Sequence, residues 1–373
     1  MKRIKELDGI RGIAIFLVLI WHYIPCLVSS KILEMPGGFL LEVFSLTWSG
    51  VDLFFVLSGF LIVGILLDTK GGESYFSTFY IRRALRILPL YLVVVILFIV
   101  LSGLISNDWL FLQAFPLWSY FTFTQNFFMH RYGFGPNWLA VTWSLAVEEQ
   151  FYLVLPFLVL KLSKKQLVKL FVVLMLMSPL FRLIFNNLGA YVFSFARADS
   201  ILAGSLLAVA YRTPAIKDVL EENYQYVLVL FFVFLFGAGV LTLDYPEIGD
   251  AFGHLWLSGL YCLFVMVCTL RTKTVINNFV SNNFFVWMGL RSYGIYLFHQ
   301  PVSGLMHQFL NGRTSPGFSN MQEFVAVLFS FLATFLLAEI SFRYFESFFL
   351  SYAGKFHYGR RNTSSVEDPM PLK

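Results

Sequence analysis

Charged residues are scarce in this sequence, since Asp, Glu, Lys and Arg make up only 13% of its 373 residues. A soluble globular protein carries about twice that share. Cysteine is scarce as well: Cys26, Cys262 and Cys268 lie in apolar runs without the spacing of metal ligands. This odd, scattered set indicates neither a disulfide framework nor a zinc site, and we expect no metal. There is no internal repeat, which argues against a solenoid or array.

Hydrophobic residues take the place of charge. They make up 58% of the chain, with 44 Phe and a mean hydropathy of +0.72, which is typical of a polytopic membrane protein. The net charge of +5 is explained by basic cytoplasmic loops, so we expect membrane lipid and no nucleic acid as a partner. The N-terminus begins like a signal peptide, but Glu6 and Asp8 interrupt its basic region and no small-residue cleavage site follows, which indicates a retained first span.

Hydropathy predicts an all-α polytopic membrane protein of about ten transmembrane helices, with one domain at 1–358 and a polar cytoplasmic tail at 359–373. The predicted spans are 12–28, 43–67, 87–104, 139–160, 167–185, 190–211, 226–243, 254–270, 284–310 and 323–345. Residues 105–138, aromatic and broken by Pro and Gly, are either an outer loop on the membrane or a re-entrant piece. With both termini in the cytoplasm, 20 of the 27 Lys and Arg fall in inner loops and tails, three in outer loops and four within spans. The positive-inside rule favours this orientation.

Five polar side chains within these spans fall at a similar depth, in the middle to outer part of the membrane. They are His22, Asp52, Glu148, Arg197 and His299. His22, for example, lies about 21 Å above Asp8 if each helical residue rises 1.5 Å. Since polar groups are costly in hydrocarbon, they usually face a cavity or a partner. Asp52 is the only charge in the run SGVDLFFVLSGFLI and is the clearest case.

Helical spacing sorts further polar residues into two stripes. One stripe is Ser144, Glu148 and Tyr152, and the other is Ser292, Tyr296, His299 and Ser303. Two such stripes predict a wet interior. Glu149 points roughly 100° away from Glu148, so we do not expect the two carboxylates to share one site.

A basic cluster lies at the predicted cytoplasmic edge of the third span, in FYIRRALRILPLY. Arg82, Arg83 and Arg86 fall on one helical turn, where forked guanidinium donors suit phosphate groups. Membrane orientation and lipid head-group binding are the alternative interpretation of this cluster.

Five stretches together resemble the acyltransferase 3 family, which comprises integral membrane O-acyltransferases that modify cell-surface glycans, lipids and small molecules. The stretches are LDGIRGIAIFLVLIWH, SGVDLFFVLSGFLI, RRALRILPLY, WSLAVEEQFYLVLP and GLRSYGIYLFHQP. The resemblance covers residues 7 to about 350, with the motifs in the family's order and spacing, and it implies ten transmembrane helices. Some relatives carry a C-terminal hydrolase-like domain, which we do not expect here.

The resemblance also implies roles for individual residues. His22 matches the proposed catalytic histidine, and Asp52 falls in the VD motif. Arg82 and Arg86 match an RxxxR-type motif that is assigned to acyl-CoA from the cytoplasm. The further matched motif positions are Glu148, Glu149 and His299. The implied donor is acyl-CoA, with acetyl-CoA as the default, and the implied acceptor is a hydroxyl of a glycan, a lipid or a small molecule.

The chemistry of acyl transfer defines what these residues have to do. A thioester is already activated, so the enzyme positions an acceptor hydroxyl, removes its proton, stabilises an oxyanion and holds the CoA phosphates. His22 is the candidate general base, and Asp52 or Glu148 is the candidate carboxylate that orients it. The candidate oxyanion donors are Ser144, Tyr152, Arg197 and Tyr296. The candidate residues that bind the acyl-CoA donor are Arg82, Arg83 and Arg86. The further candidate cavity residues are Arg11, Trp143, Glu149 and His299.

Two alternatives accompany this interpretation. A proton-coupled transporter or exporter could use the same intramembrane residues as a relay, although the sequence shows no inverted repeat. Asp52 could instead pair with Arg197 and hold the bundle together. In either case the expected location is the inner or plasma membrane.

Overall fold

A computed structural model of the chain describes residues 4–28, 44–185, 188–243, 249–271 and 273–359. Within these ranges the chain forms helices and connecting turns, with no β-strand. Eight helical segments are long and apolar enough to cross a membrane. The chain is therefore an all-α polytopic membrane protein, as predicted. Residues 360–373 of the predicted tail lie outside the described residues.

The first three long helices contribute the motifs of the N-terminal third. They are α1 (Lys5–Tyr23), α2 (Gly50–Asp68) and α3 (Tyr75–Ser102), with 3₁₀ turns at Pro25–Leu27 and Leu46–Ser49. α1 and α3 begin earlier than the predicted spans 12–28 and 87–104, because each helix continues beyond its apolar run into a polar, arginine-bearing turn. These two turns carry Arg11 and the arginine cluster.

The segment 105–138 contains only short helices, and none of them is long enough to cross a membrane. They are α4 (Asp108–Phe111), α5 (Trp118–Phe121) and α6 (Gln125–Tyr132). The hydroxyl of Tyr91 donates to the carbonyl of Tyr120 at 2.9 Å, and the indole of Trp138 donates to the carbonyl of Val94 at 3.1 Å. These contacts on α3 lie about 12 to 16 Å below its outer end. Of the two predicted arrangements, this depth favours the re-entrant piece.

The rest of the chain alternates long and short helices. They are α7 (Thr142–Lys161), α8 (Lys164–Ile184), α9 (Leu188–Val192), α10 (Ala198–Tyr211), α11 (Pro214–Glu222), α12 (Tyr224–Leu243), α13 (His254–Leu270), α14 (Val275–Val280), α15 (Asn283–Asn311), α16 (Met321–Ser341) and α17 (Ser347–Ala353), with π-helical turns at Gly249–Gly253 and Phe342–Glu346.

Two predicted spans, α10 and α15, are not among the eight segments of membrane-crossing length and hydropathy. α10 has 14 residues and spans about 21 Å, because the chain turns between α9 and α10 instead of continuing the predicted helix 190–211. α15 has 29 residues but carries the polar stripe that includes Tyr296 and His299. The total of ten spans therefore stays a prediction.

Glycines make the closest contact between α1 and α15. A Cβ atom on Gly12 would lie 1.9 Å from the carbonyl oxygen of Phe285, and one on Gly289 would lie 1.8 Å from the carbonyl oxygen of Asp8. No larger side chain fits at either position, so the two backbones touch. This crossing places the helix that carries His22 directly against the helix that carries His299.

The contact between α2 and α10 is built in the same way. A Cβ atom on Gly59 would lie 1.9 Å from the carbonyl oxygen of Ile201, and one on Gly204 would lie 1.9 Å from that of Val56. The close approach brings Asp52, in the first turns of α2, to the start of α10.

Candidate active site

A cavity of about 120 Å³ lies among α1, α2, α3, α7 and α15. Its polar lining consists of Arg11, Ser58, Arg83, Arg86, Ser144, Glu148, Tyr152, Ser292, Tyr293 and Tyr296. The cavity extends from the arginines at the predicted cytoplasmic end to Ser144 and Tyr296 in the membrane interior. Both predicted polar stripes contribute to it, so the expectation of a polar interior is confirmed for this part of the chain.

Three guanidinium groups define the basic end of the cavity. Arg11 lies 3.3 Å from a carboxylate oxygen of Asp8. Arg83 lies over the ring of Tyr152, 5.1 Å from its centroid. In the described part of the chain, neither Arg83 nor Arg86 has a carboxylate oxygen within 4.0 Å. Glu148 lines the same cavity but forms no direct ion pair with either of them, so both guanidinium groups can donate hydrogen bonds to an anion.

Arg82 points to a different place from Arg83, although the two are adjacent in the sequence. Its guanidinium lies over the ring of Tyr358, 5.6 Å from the centroid, and lines a second cavity of about 310 Å³. Arg83 and Arg86 line this cavity as well, so the two cavities adjoin at these side chains, and we refer to the two together as the path. Burial raises the pKa of the Tyr358 phenol, which therefore stays a neutral ring beside the arginines. Arg82 thus belongs to the mouth of the path, and Arg83 and Arg86 to both parts.

The polar stripe of α7 is held by hydrogen bonds across the cavity. The hydroxyl of Tyr152 donates to Glu148 Oε2 at 3.0 Å and also bonds to the hydroxyl of Ser58. The hydroxyl of Ser144 lies 2.6 Å from that of Tyr296. Ser58 was not among the predicted site residues, although a hydroxyl within the apolar run of α2 was a signal that could have found it.

The imidazole rings of His22 and His299 form an edge-to-face pair. Their ring centroids are 4.7 Å apart at an interplanar angle of 64°. Nδ1 of His22 lies 2.9 Å from the carbonyl oxygen of Val18, and Nδ1 of His299 lies 2.7 Å from that of Tyr296. A carbonyl can only accept, so each neutral ring carries its proton on Nδ1 and presents a lone pair at Nε2. An imidazole in this state can accept a proton from a hydroxyl.

The histidine pair does not line the arginine cavity. Tyr296 joins the two: it lines the cavity, and its ring centroid lies 5.8 Å from that of His299. Its hydroxyl donates to the carbonyl of Val141 at 2.8 Å, which holds the ring between the two regions. The histidine pair thus lies next to the cavity, with Tyr296 between the cavity and His299.

Asp52 and Arg197 lie together in a separate cluster. Asp52 Oδ1 accepts from Arg197 Nη2 and from the hydroxyl of Ser200, each at 2.8 Å, and both charged side chains are fully buried. Trp143 and His254 complete the cluster, with the guanidinium 5.7 Å from the Trp143 ring and in hydrogen-bond contact with His254. The alternative that Asp52 pairs with Arg197 is confirmed, and no hydrogen bond joins Asp52 to His22 within the described chain.

Glu149 also lies away from the cavity that Glu148 lines. Its Oε1 is buried without a hydrogen-bond partner. The two adjacent carboxylates therefore do not share one site, as their angular separation on the helix predicted.

The sequence model of the acyltransferase 3 family, described as an acyltransferase domain, matches residues 4–341. The chain belongs to this family. It is 29% identical to the peptidoglycan O-acetyltransferase OatA of Listeria monocytogenes, over 93% of this chain and 56% of that protein. It is 28% identical to the "Putative O-acetyltransferase SACOL0978" of Staphylococcus aureus, over 93% and 57%, and 27% identical to the "Putative peptidoglycan O-acetyltransferase YrhL" of Bacillus subtilis, over 92% and 54%.

The chain spans about half the length of these curated relatives. No solved structure matches it. The resemblance seen in the five motifs is thus confirmed at the level of the family.

Proposed function

We propose that this chain transfers an acyl group, with acetyl as the default, from cytoplasmic acyl-CoA to a hydroxyl of a cell-surface glycan. The observation that carries the proposal is the pair of arginines, Arg83 and Arg86, that line one cavity at the predicted cytoplasmic end and form no direct ion pair within the described chain. Arg86 is exposed and Arg83 is half-buried, so both guanidinium groups are accessible to a phosphate-bearing ligand. CoA is such a ligand, and the family supplies the reaction class.

The donor enters through the mouth that Arg82 and Tyr358 line. Arg83 and Arg86 bind its phosphates with forked, charge-assisted hydrogen bonds, which also fix its orientation. The acyl-bearing pantetheine arm then extends along the cavity towards Ser144 and Tyr296. Positioning of this kind lowers the barrier because the two reactants no longer have to meet in solution.

His22 acts on the acceptor. Its Nδ1 proton is held by Val18, so the lone pair of Nε2 is available to take the proton of the acceptor hydroxyl. The hydroxyl oxygen attacks the thioester carbonyl, the new C–O bond forms, and the C–S bond breaks. The proton on His22 then passes to the departing thiolate, which leaves as free CoA thiol.

The names of the relatives make a glycan the first candidate acceptor, because two of them refer to peptidoglycan. Nothing in the family or in these names favours a proton-coupled transporter.

Mass spectrometry of surface glycans, lipids and secreted metabolites tests the proposal. Matched cells express the intact protein, His22→Ala or His130→Ala at equal membrane levels, the last altering a half-buried histidine outside the site. We expect a mass increase of one acyl group on a glycan with the intact protein and with His130→Ala, and none with His22→Ala. An absent acyl difference in every fraction, together with a solute gradient that depends on the protein, would support transport instead.

A further inference from the structure

The side chain beside His22 is not the carboxylate that acyl-transfer chemistry led us to expect. Asp52 is bonded to Arg197, and Glu148 is bonded to Tyr152 in the arginine cavity. The polar group next to His22 is the imidazole of His299, with the ring centroids 4.7 Å apart.

His299 is buried with one half of its hydrogen-bonding capacity unused. Its side chain is 0% exposed, its Nδ1 donates to the carbonyl of Tyr296, and its Nε2 has no partner. Buried polar atoms nearly always find a hydrogen-bond partner, and a role in catalysis is one of the explanations for an atom that has none.

The position of His299 is set by contacts on both sides. The hydroxyl of Tyr23 donates to the carbonyl of His299 at 2.8 Å and lies 2.8 Å from the hydroxyl of Thr334. Lower down, Gly12 and Gly289 bring the backbones of α1 and α15 into contact. These contacts fix the backbones that carry His22 and His299 relative to each other, so the two rings lie side by side in the folded protein.

We infer that His299 is a positioning residue, whose unpaired Nε2 stabilises the positive charge that His22 acquires when it takes the proton of the acceptor hydroxyl. The inference rests on the proposed function. In the resting protein both rings are neutral, so the lone pair of His299 does not stabilise any charge on His22. As His22 becomes an imidazolium, the neutral His299 ring with its free lone pair lies beside a cation, so the attraction exists only along the reaction and raises turnover rather than binding. No covalent bond to His299 forms, and the proton travels from the acceptor oxygen to His22 and then to the thiolate.

Two substitutions separate this role from packing. His299→Gln keeps an acceptor oxygen at about the position of Nε2, whereas His299→Leu keeps similar bulk without an acceptor. The assay is thiol release from acetyl-CoA by membranes that contain the full-length protein and endogenous acceptors, with His22→Ala membranes as background. Thermal unfolding of each purified variant reports the folded state.

We expect His299→Leu to lower the maximal rate tenfold or more at an unchanged half-saturating acetyl-CoA concentration, and His299→Gln to recover most of that rate. A rate of thiol release by His299→Leu within twofold of the parent would overturn the inference. The inference would also fail if both variants lost activity only in proportion to their loss of folded protein. If His22→Ala releases thiol as fast as the parent, the proposed function itself fails. If His22 is required and His299→Leu is not impaired, only this inference fails.

Discussion

Asp52 was predicted to lie at the same membrane depth as His22 and was a candidate to orient its ring. In the structure, its carboxylate instead accepts hydrogen bonds from Arg197 and Ser200. Hydropathy and the rise per residue define depth, so the sequence could place both residues in the middle of the membrane. The rotation of each helix about its axis depends on the side chains of its neighbours, which single-sequence periodicity does not contain. The same limit affects Arg82 and Arg83, since positions three and four apart on a helix both share a face with Arg86.

Asp52→Asn tests the role of the buried ion pair. The substitution keeps the volume but leaves Arg197 as an uncompensated buried charge, so we expect the free energy of unfolding to fall by about 3 to 5 kcal/mol. Asp68→Asn is the matched control, because its pair with Arg212 is half-exposed and is expected to contribute about 1 kcal/mol or less. Denaturant unfolding in detergent measures both. If Asp52→Asn kept the parental free energy of unfolding but lost acyl transfer, Asp52 would have a catalytic role instead of a structural one.

At the scale of helices, the long apolar elements are the ones that the sequence predicts well. The predicted span 254–270 coincides with α13, and 284–310 lies within one residue of α15 at each end. The bounds of α10 and the arrangement of residues 105–138 are harder to predict from the sequence. Short helices packed inside a protein need neither the length nor the hydropathy of a lipid-facing span. The crossing of α1 and α15 is visible only in the structure, where Gly12 and Gly289 are found at one contact.

Gly289→Ala tests how far this crossing positions the histidine pair. The added Cβ would lie 1.8 Å from the carbonyl oxygen of Asp8, so the helices have to separate. Overpacking of this kind costs about 1 to 3 kcal/mol, and we expect a lower melting temperature and slower acyl transfer together. Gly103→Ala is the control, since its nearest atom would lie at an ordinary 3.7 Å and neither quantity should change. If Gly289→Ala had the same melting temperature and rate of acyl transfer as Gly103→Ala, the crossing of α1 and α15 would not depend on a glycine at position 289.

At the scale of the whole molecule, the path from the arginines ends at Tyr296, and the histidine pair lies beyond that ring. A donor from one side and an acceptor from the other could therefore meet at this tyrosine. In the proposed function, the predicted orientation, with the basic ends of the helices in the cytoplasm, puts the entrance for acyl-CoA on the cytoplasmic side. Such an arrangement keeps water away from the thioester until an acceptor is present.

Tyr296→Ala tests this separation. Removal of the ring opens the cavity to the histidine pair, so we expect acetyl-CoA hydrolysis without acceptor to rise several-fold, measured as thiol release in acceptor-free proteoliposomes. Tyr296→Phe keeps the ring and loses only its hydrogen bonds to Ser144 and Val141, so the increase should be smaller. Unchanged hydrolysis in both variants would mean that the ring does not control access.

The most direct test of the account is equilibrium binding of CoA to the purified protein and to three variants. Arg86→Ala removes charged hydrogen bonds worth about 1.5 to 3 kcal/mol, so we expect affinity to fall about tenfold to a hundredfold. His22→Ala should bind CoA within twofold of the parent while transferring nothing, and Arg343→Ala, an exposed arginine outside both cavities, should change neither property. Parental CoA affinity in Arg86→Ala, or equal loss of binding in His22→Ala, would contradict the division between an arginine donor site and a histidine transfer site.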